Sequence, residues 1–169
     1  MTHVLHAKLM DGSIDLALLA LPFELRNVET MTLFHDSFRL AAHEATTLVD
    51  PEHFHFNRLT AEVVLMLEDG HCMRDHALDA CKIRNTEKVS RFAATSLLTL
   101  IEMVDADLGV TFLPEMAEGS AMLSGTQVRT WPLKNEGYRE IALVWRKGSA
   151  RGEEFRELGR FFAEKAKNN

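Results

Sequence analysis

Val63-Val64-Leu65-Met66-Leu67-Glu68-Asp69-Gly70-His71-Cys72-Met73-Arg74-Asp75-His76-Ala77-Leu78-Asp79-Ala80-Cys81 changes its hydrophobic period halfway. Val63 to Leu67 is an unbroken apolar run, the signature of a strand covered on both faces. Glu68-Asp69-Gly70 reads as a turn. From Cys72 to Cys81 the apolar residues Met73, Ala77, Leu78 and Ala80 recur at helical spacing. A buried strand, a glycine turn and a helix make the repeating step of an α/β fold.

The same step recurs on either side. Val4 to Met10 suits a short helix, stopped by Asp11-Gly12-Ser13, and Ile14 to Leu21 is a second apolar run, closed by Pro22. Its continuity predicts a buried strand in a parallel sheet. Met31 to His43 reads as one or two strands, interrupted at Asp36-Ser37, and Thr46 to Thr60 as a polar, His-rich loop. Arg91 to Ala94 is a short strand, and Thr95-Ser96 is an N-cap for a helix carrying Leu97, Leu100, Ile101 and Val104. Gly109 to Pro114, Val128 to Leu133 and Glu140 to Trp145 are strand-like, and Phe155, Leu158, Phe161 and Phe162 mark an amphipathic C-terminal helix. Strands alternate with helices, so largely parallel sheets are expected. The Asp36 and Gly137 regions are the candidate crossovers between two lobes.

Bulk properties exclude several classes. A net charge of −6 argues against a chain that grips a nucleic-acid backbone by itself. No apolar run approaches the roughly 18 residues of a membrane helix. Met1 to His6 lacks the basic start and apolar stretch of a signal peptide, so a cytoplasmic location is expected. Two cysteines are too few for a disulfide-stapled secreted scaffold.

Cys72 stands just after a glycine turn, at a helix start, where backbone N–H groups and the helix dipole favour a thiolate. His71 and Arg74 add donors or positive charge, and Asp69 and Asp75 oppose them. Cys81 follows nine residues later. Within an intact helix that spacing separates the Cα atoms by about 13–14 Å, on opposite faces. A disulfide needs them within roughly 7 Å, so bonding requires the helix to unwind. The spacing alone favours two unrelated core cysteines on an amphipathic helix. A metal set of Cys72, His76 and Cys81, with His71 or His3, lacks a CxxC or HExxH pair, so neither a metal nor a cofactor is expected. His35, His43, His53 and His55 read as surface or capping residues.

This segment resembles the OxyR group of LysR-type transcriptional regulators, bacterial hydrogen-peroxide sensors. Leu65 to Asp75 with Cys81 carries the likeness, which continues through Ala94-Thr95-Ser96-Leu97, Gly109 to Pro114 and Arg139 to Arg146. The resemblance covers essentially the whole chain, and its His-Cys-x-Arg-Asp segment with a second cysteine is the specific part. It implies a periplasmic-binding-protein-like pair of α/β lobes. Residues 1–34 with 139–169 would form regulatory lobe I, and residues 35–138 lobe II with both cysteines. Cys72 would be the peroxidatic residue and Cys81 the resolving one, joined in an intramolecular disulfide on oxidation. Thr2, His71 and Asp75 match positions around a peroxide pocket, and Arg139 an arginine near the reactive sulfur. Implied partners are hydrogen peroxide, further copies of the chain in a homodimer or homotetramer, and a reductant such as a glutaredoxin or thioredoxin. DNA would be reached only through an N-terminal domain outside this sequence, and no membrane is involved. The family's linker helix and the opening strand and helix of lobe I also lie outside it, so lobe I is expected to be incomplete. Asp105-Ala106-Asp107-Leu108 replaces a glycine-containing stretch before Gly109.

Two other functions compete. One is a LysR-type domain that binds a small organic effector, its cysteines incidental. The other is a thiol peroxidase, for which the thioredoxin-fold pattern is missing; the expectation is a sensor rather than an enzyme.

Overall fold

A computed structural model describes residues 2–59, 62–84, 86–134 and 137–166, excepting the side chains of Asn57 and Thr86. Its elements run α1 (Thr2–Asp11), β1 (Leu16–Leu21), β2 (Val28–His43), β3 (Val64–Leu67), α2 (Cys72–Ala80), β4 (Val89–Ala94), α3 (Leu97–Asp105), β5 (Thr111–Pro114), β6 (Val128–Pro132), β7 (Tyr138–Arg146) and α4 (Gly152–Ala166), with three short 3₁₀ turns. They group into two compact units, Met1–Asp36 with Arg139–Asn169, and Ser37–Tyr138. The chain passes from the first to the second within β2 and returns at the start of β7.

In the first unit β7 lies between β1 and β2. β1 pairs with β7 antiparallel, Leu16 opposite Trp145 and Leu21 opposite Glu140. Alternation along these strands feeds two cores. Ala17, Leu19 and Val144 pack on Leu9 of α1, while Leu33, Leu143 and Trp145 pack on Phe155 of α4. α4 comes close enough to β2 that a Cβ on Gly159 would stand 2.5 Å from the Met31 sulfur.

The parallel direction expected for Ile14 to Leu21 is therefore wrong. β1 buries Ala17 and Leu19 against α1 while Leu18 on its other face stays open, so its apolar run reports neither two-sided cover nor strand direction. β1 is moreover an edge strand, with Leu18 57% exposed.

The second unit continues the antiparallel theme. The far half of β2 pairs with β5 and β6, Leu40 facing Phe112 on one side and Trp131 on the other. Among the described residues the parallel elements are the β3–β4 ladder and a single bridge from Val64 to Val110. The expectation of largely parallel sheets thus holds only around β3. Met31 to His43 is also one strand rather than two, because the charge of Asp36, read as an interruption, is neutralised in place by Arg139.

β3 is the centre of this unit. Val64 and Met66 face a cluster with Phe38, Leu40, Ala77 of α2 and Phe112. Leu65 and Leu67 face Leu100, Ile101 and Val104 of α3. Two-sided burial explains the unbroken Val-Val-Leu-Met-Leu run. Ser96 caps α3, its Oγ accepting from Thr99 N–H at 3.1 Å. Asp107 adopts φ +52°, a left-handed conformation that Asp tolerates, and Asp105 Oδ1 accepts the Gln127 N–H at 2.6 Å. Among the described residues no helix is long and apolar enough to cross a membrane.

Candidate functional site

β3 leads directly into the site. Gly70, at φ +89°, takes a conformation L side chains rarely adopt and lets the strand turn into a helix. His71 follows at the N-cap with extended backbone and no side-chain capping bond. Cys72 is therefore the first residue of α2, half-buried, among backbone N–H groups that have no partner within the helix. Arg74 turns back from this end. Its Nε lies 2.9 Å from Asp69 Oδ1, and Nη1 donates to the Leu67 carbonyl at 3.1 Å. Arg74 thus ties the helix start to the strand end, and Asp69 offsets its charge.

The other end of α2 has a different character. Cys81 is the C-cap, its N–H donating to the Ala77 carbonyl at 3.0 Å. Its side chain packs on the Phe38–Phe112 core. Burial pushes the Cys81 thiol up from the ordinary 9.0 to about 12, because an anion there would lose its hydration. The thiol borders a cavity of about 120 Å³ walled by Phe54, Phe112 and Leu133. The backbone of Gly137 lies against the last turn; an added Cβ would meet the Ala80 carbonyl oxygen at 1.9 Å. Both cysteines are free thiols, and the unbroken helix of nine residues keeps their Cα atoms about 13–14 Å apart.

His71, Cys72 and Asp75 share the first turn of α2, Asp75 exposed; with Cys81 they belong to the second unit. Thr2 and Arg139 belong to the first. Thr2 is buried at the start of α1. Arg139, near the start of β7, directs Nε and Nη2 onto Asp36 Oδ2 at 3.0 and 2.8 Å, with side chains only 10% and 1% exposed. No group of three or more His, Cys, Asp or Glu among the described residues could hold a metal, so the Cys72–His76–Cys81 set is not assembled.

Two features escaped the sequence. Asp36 was visible only as a break in a strand, yet a carboxylate inside an apolar stretch signals a buried charge that needs a cation. The apolar wall beside Cys81 joins Phe54, Phe112 and Leu133 by tertiary packing alone and left no local pattern.

The family model described as "LysR substrate binding domain" matches residues 1–167. The "HTH-type transcriptional regulator EstR" of Acinetobacter baylyi is 34% identical over 149 residues, 88% of this chain and 49% of that protein. The "Hydrogen peroxide-inducible genes activator" of Haemophilus influenzae is 38% identical over 151 residues, 88% of this chain and 49% of that protein. The chain spans about half the length of the curated relatives it matches. The reduced form of the regulatory domain of OxyR2 from Vibrio vulnificus superposes with a TM-score of 0.89 at 34% identity, covering 96% of this chain and 76% of that one. A buried strand, a glycine turn and a helix with a cysteine at each end thus coincide with matches along nearly the whole chain: it belongs to the LysR substrate binding domain family and, within it, to the OxyR-type regulatory domains.

Proposed function

We propose that this chain is the peroxide-sensing regulatory domain of a cytoplasmic LysR-type transcription regulator, switched by an intramolecular Cys72–Cys81 disulfide. The observation that carries the reading is the contrast along α2. Both thiols are half-buried, but one stands at the helix N-terminus and the other, nine residues away, packs on the Phe38–Phe112 core, which holds it protonated. The Cys72 thiolate attacks one peroxide oxygen. The O–O bond breaks, hydroxide leaves and takes up a proton as water, and the sulfur becomes a sulfenic acid. The Cys81 sulfur then attacks the sulfenic sulfur. The S–S bond forms, the S–O bond breaks, and the hydroxyl leaves as water with the Cys81 proton. One peroxide and two thiols yield one disulfide and two waters.

The second step requires α2 to unwind, and that rearrangement is the signal. By the family resemblance this reading assigns peroxide handling to Thr2, His71 and Asp75, and to Arg139 the steadying of charge on the sulfur and the leaving oxygen. Residues 1–34 with 139–169 act as lobe I and residues 35–138 as lobe II. A homodimer or homotetramer carries the change to a separate DNA-binding domain, and a glutaredoxin- or thioredoxin-type dithiol resets the switch. The domain senses peroxide without turning over as a peroxidase. Intact-mass measurement after one equivalent of peroxide tests this: loss of two hydrogens is expected. An unchanged mass supports an effector-binding domain, and continuous peroxide consumption with reductant an enzyme.

A further inference from the structure

The cavity beside Cys81 has the size, wall and rim of a ligand site. Its wall is aromatic: Phe54 meets Phe112 edge-to-face with ring centroids 5.9 Å apart, and Leu133 completes the apolar side. Its volume of about 120 Å³ is of the order that takes one six-membered ring; a comparable apolar cavity of about 150 Å³ holds benzene. His55 and Lys134 also line it, and both are exposed, so the polar groups stand at the mouth. A second cation flanks the same segment, since Lys88 Nζ lies 5.6 Å from the Phe56 ring centroid and donates to the Phe56 carbonyl. In a chain of net charge −6, a largely apolar pocket with His55 and Lys134 at its mouth suits a ring that carries a negative group.

We propose that this cavity binds a small aromatic carboxylate, ring among Phe54, Phe112 and Leu133 and carboxylate towards Lys134, and that its occupancy holds Cys81 in its reduced place. The regulatory half rests on the disulfide reading above. Cys81 forms part of the wall, and disulfide closure takes that wall away. A ligand that packs on the thiol favours the intact helix and withholds Cys81 from the Cys72 sulfenic acid. It leaves the first oxidation alone, because Cys72 stands at the opposite end of α2.

Benzoate is the probe. With the reduced protein, dimedone trapping reports sulfenic acid at Cys72 and intact mass reports the disulfide. Benzoate at ten times its Kd should slow closure about tenfold and leave dimedone trapping unchanged. Lys134→Ala should weaken benzoate and leave benzyl alcohol binding unaltered. In the Cys72→Ser variant, benzoate should protect Cys81 from N-ethylmaleimide with the same Kd. That arm needs no peroxide chemistry, so protection without any sulfenic acid in wild type overturns the peroxide reading and keeps the binding site. Closure and alkylation both indifferent to millimolar benzoate overturn the proposal, as does equal benzoate affinity in Lys134→Ala.

Discussion

The two ends of α2 hold the same residue type in opposite settings. At the start, Cys72 is half-buried behind a glycine turn, beside polar residues and backbone donors. At the finish, Cys81, also half-buried, packs on the Phe38–Phe112 core beside the cavity, and burial pushes its thiol up to about 12. A thiol's chemistry is set by what surrounds it, and nine residues of helix suffice to place one sulfur at a polar helix start and the other against an apolar core.

The largest expected effect comes from exchanging either sulfur. Cys72→Ser should abolish oxidation by stoichiometric peroxide while the far-ultraviolet dichroism stays native. Cys81→Ser should leave Cys72 reactive and halt at the sulfenic acid, detected by dimedone adduct mass. Adducts in Cys72→Ser at the wild-type rate would reverse the assignment of the two ends.

Next stands Arg139, proposed to lend its charge to the Cys72 end. It also neutralises a carboxylate that is 1% exposed, so Arg139→Ala should cost roughly 3–5 kcal/mol in urea unfolding. Adding Asp36→Asn should recover much of that stability. If the charge also serves the sulfur, the double variant will still oxidise about tenfold more slowly than wild type, about 1.4 kcal/mol of lost transition-state stabilisation. Wild-type oxidation in the double variant would leave Arg139 a purely structural role.

Gly137→Ala probes the Cys81 end. The new methyl group meets the Ala80 carbonyl, a backbone atom that cannot turn aside, so a loss of about 1–3 kcal/mol is expected. Because that strain is relieved when α2 unwinds, the variant should also close its disulfide faster than wild type. Stability within 0.5 kcal/mol of wild type, a difference roughly as small as most surface substitutions give, would show that the two backbones are free to part.

The smallest effect is a pH slope. The folded state raises the Cys81 value from 9.0 to about 12, so it holds that proton more tightly than the unfolded chain. The resulting stability is fully present below about pH 9 and is lost as pH climbs towards 12. Reduced Cys81→Ala should show a flatter decline in urea midpoint above pH 9 than wild type. Parallel curves would place the thiol in water.

Much of this was written locally. The strand before Gly70, the helix from Cys72, the Ser96 cap and the amphipathic C-terminal helix depend on side-chain periodicity and capping chemistry, which act over a few residues. The spacing of the cysteines was enough to show that an intact helix keeps them apart. Strand direction was not legible. Ile14 to Leu21 and Val63 to Leu67 have the same apolar texture, yet the first pairs antiparallel on an edge and the second parallel at a centre. The same texture also hides a difference in cover, since β3 is buried throughout and β1 leaves Leu18 open, and direction follows from the path of the connecting chain.

By itself, then, the sequence determined which segments are largely apolar, where the helix bearing Cys72 begins, and that its two sulfurs lie beyond bonding distance. Tertiary structure alone decided that Asp36 meets Arg139 across 103 positions and that Phe54, Cys81, Phe112 and Leu133 enclose one cavity. It also set the Gly137 backbone against Ala80. Those pairings join residues far apart in the chain, and their energies exist only after the strands have met, so no local pattern can encode them.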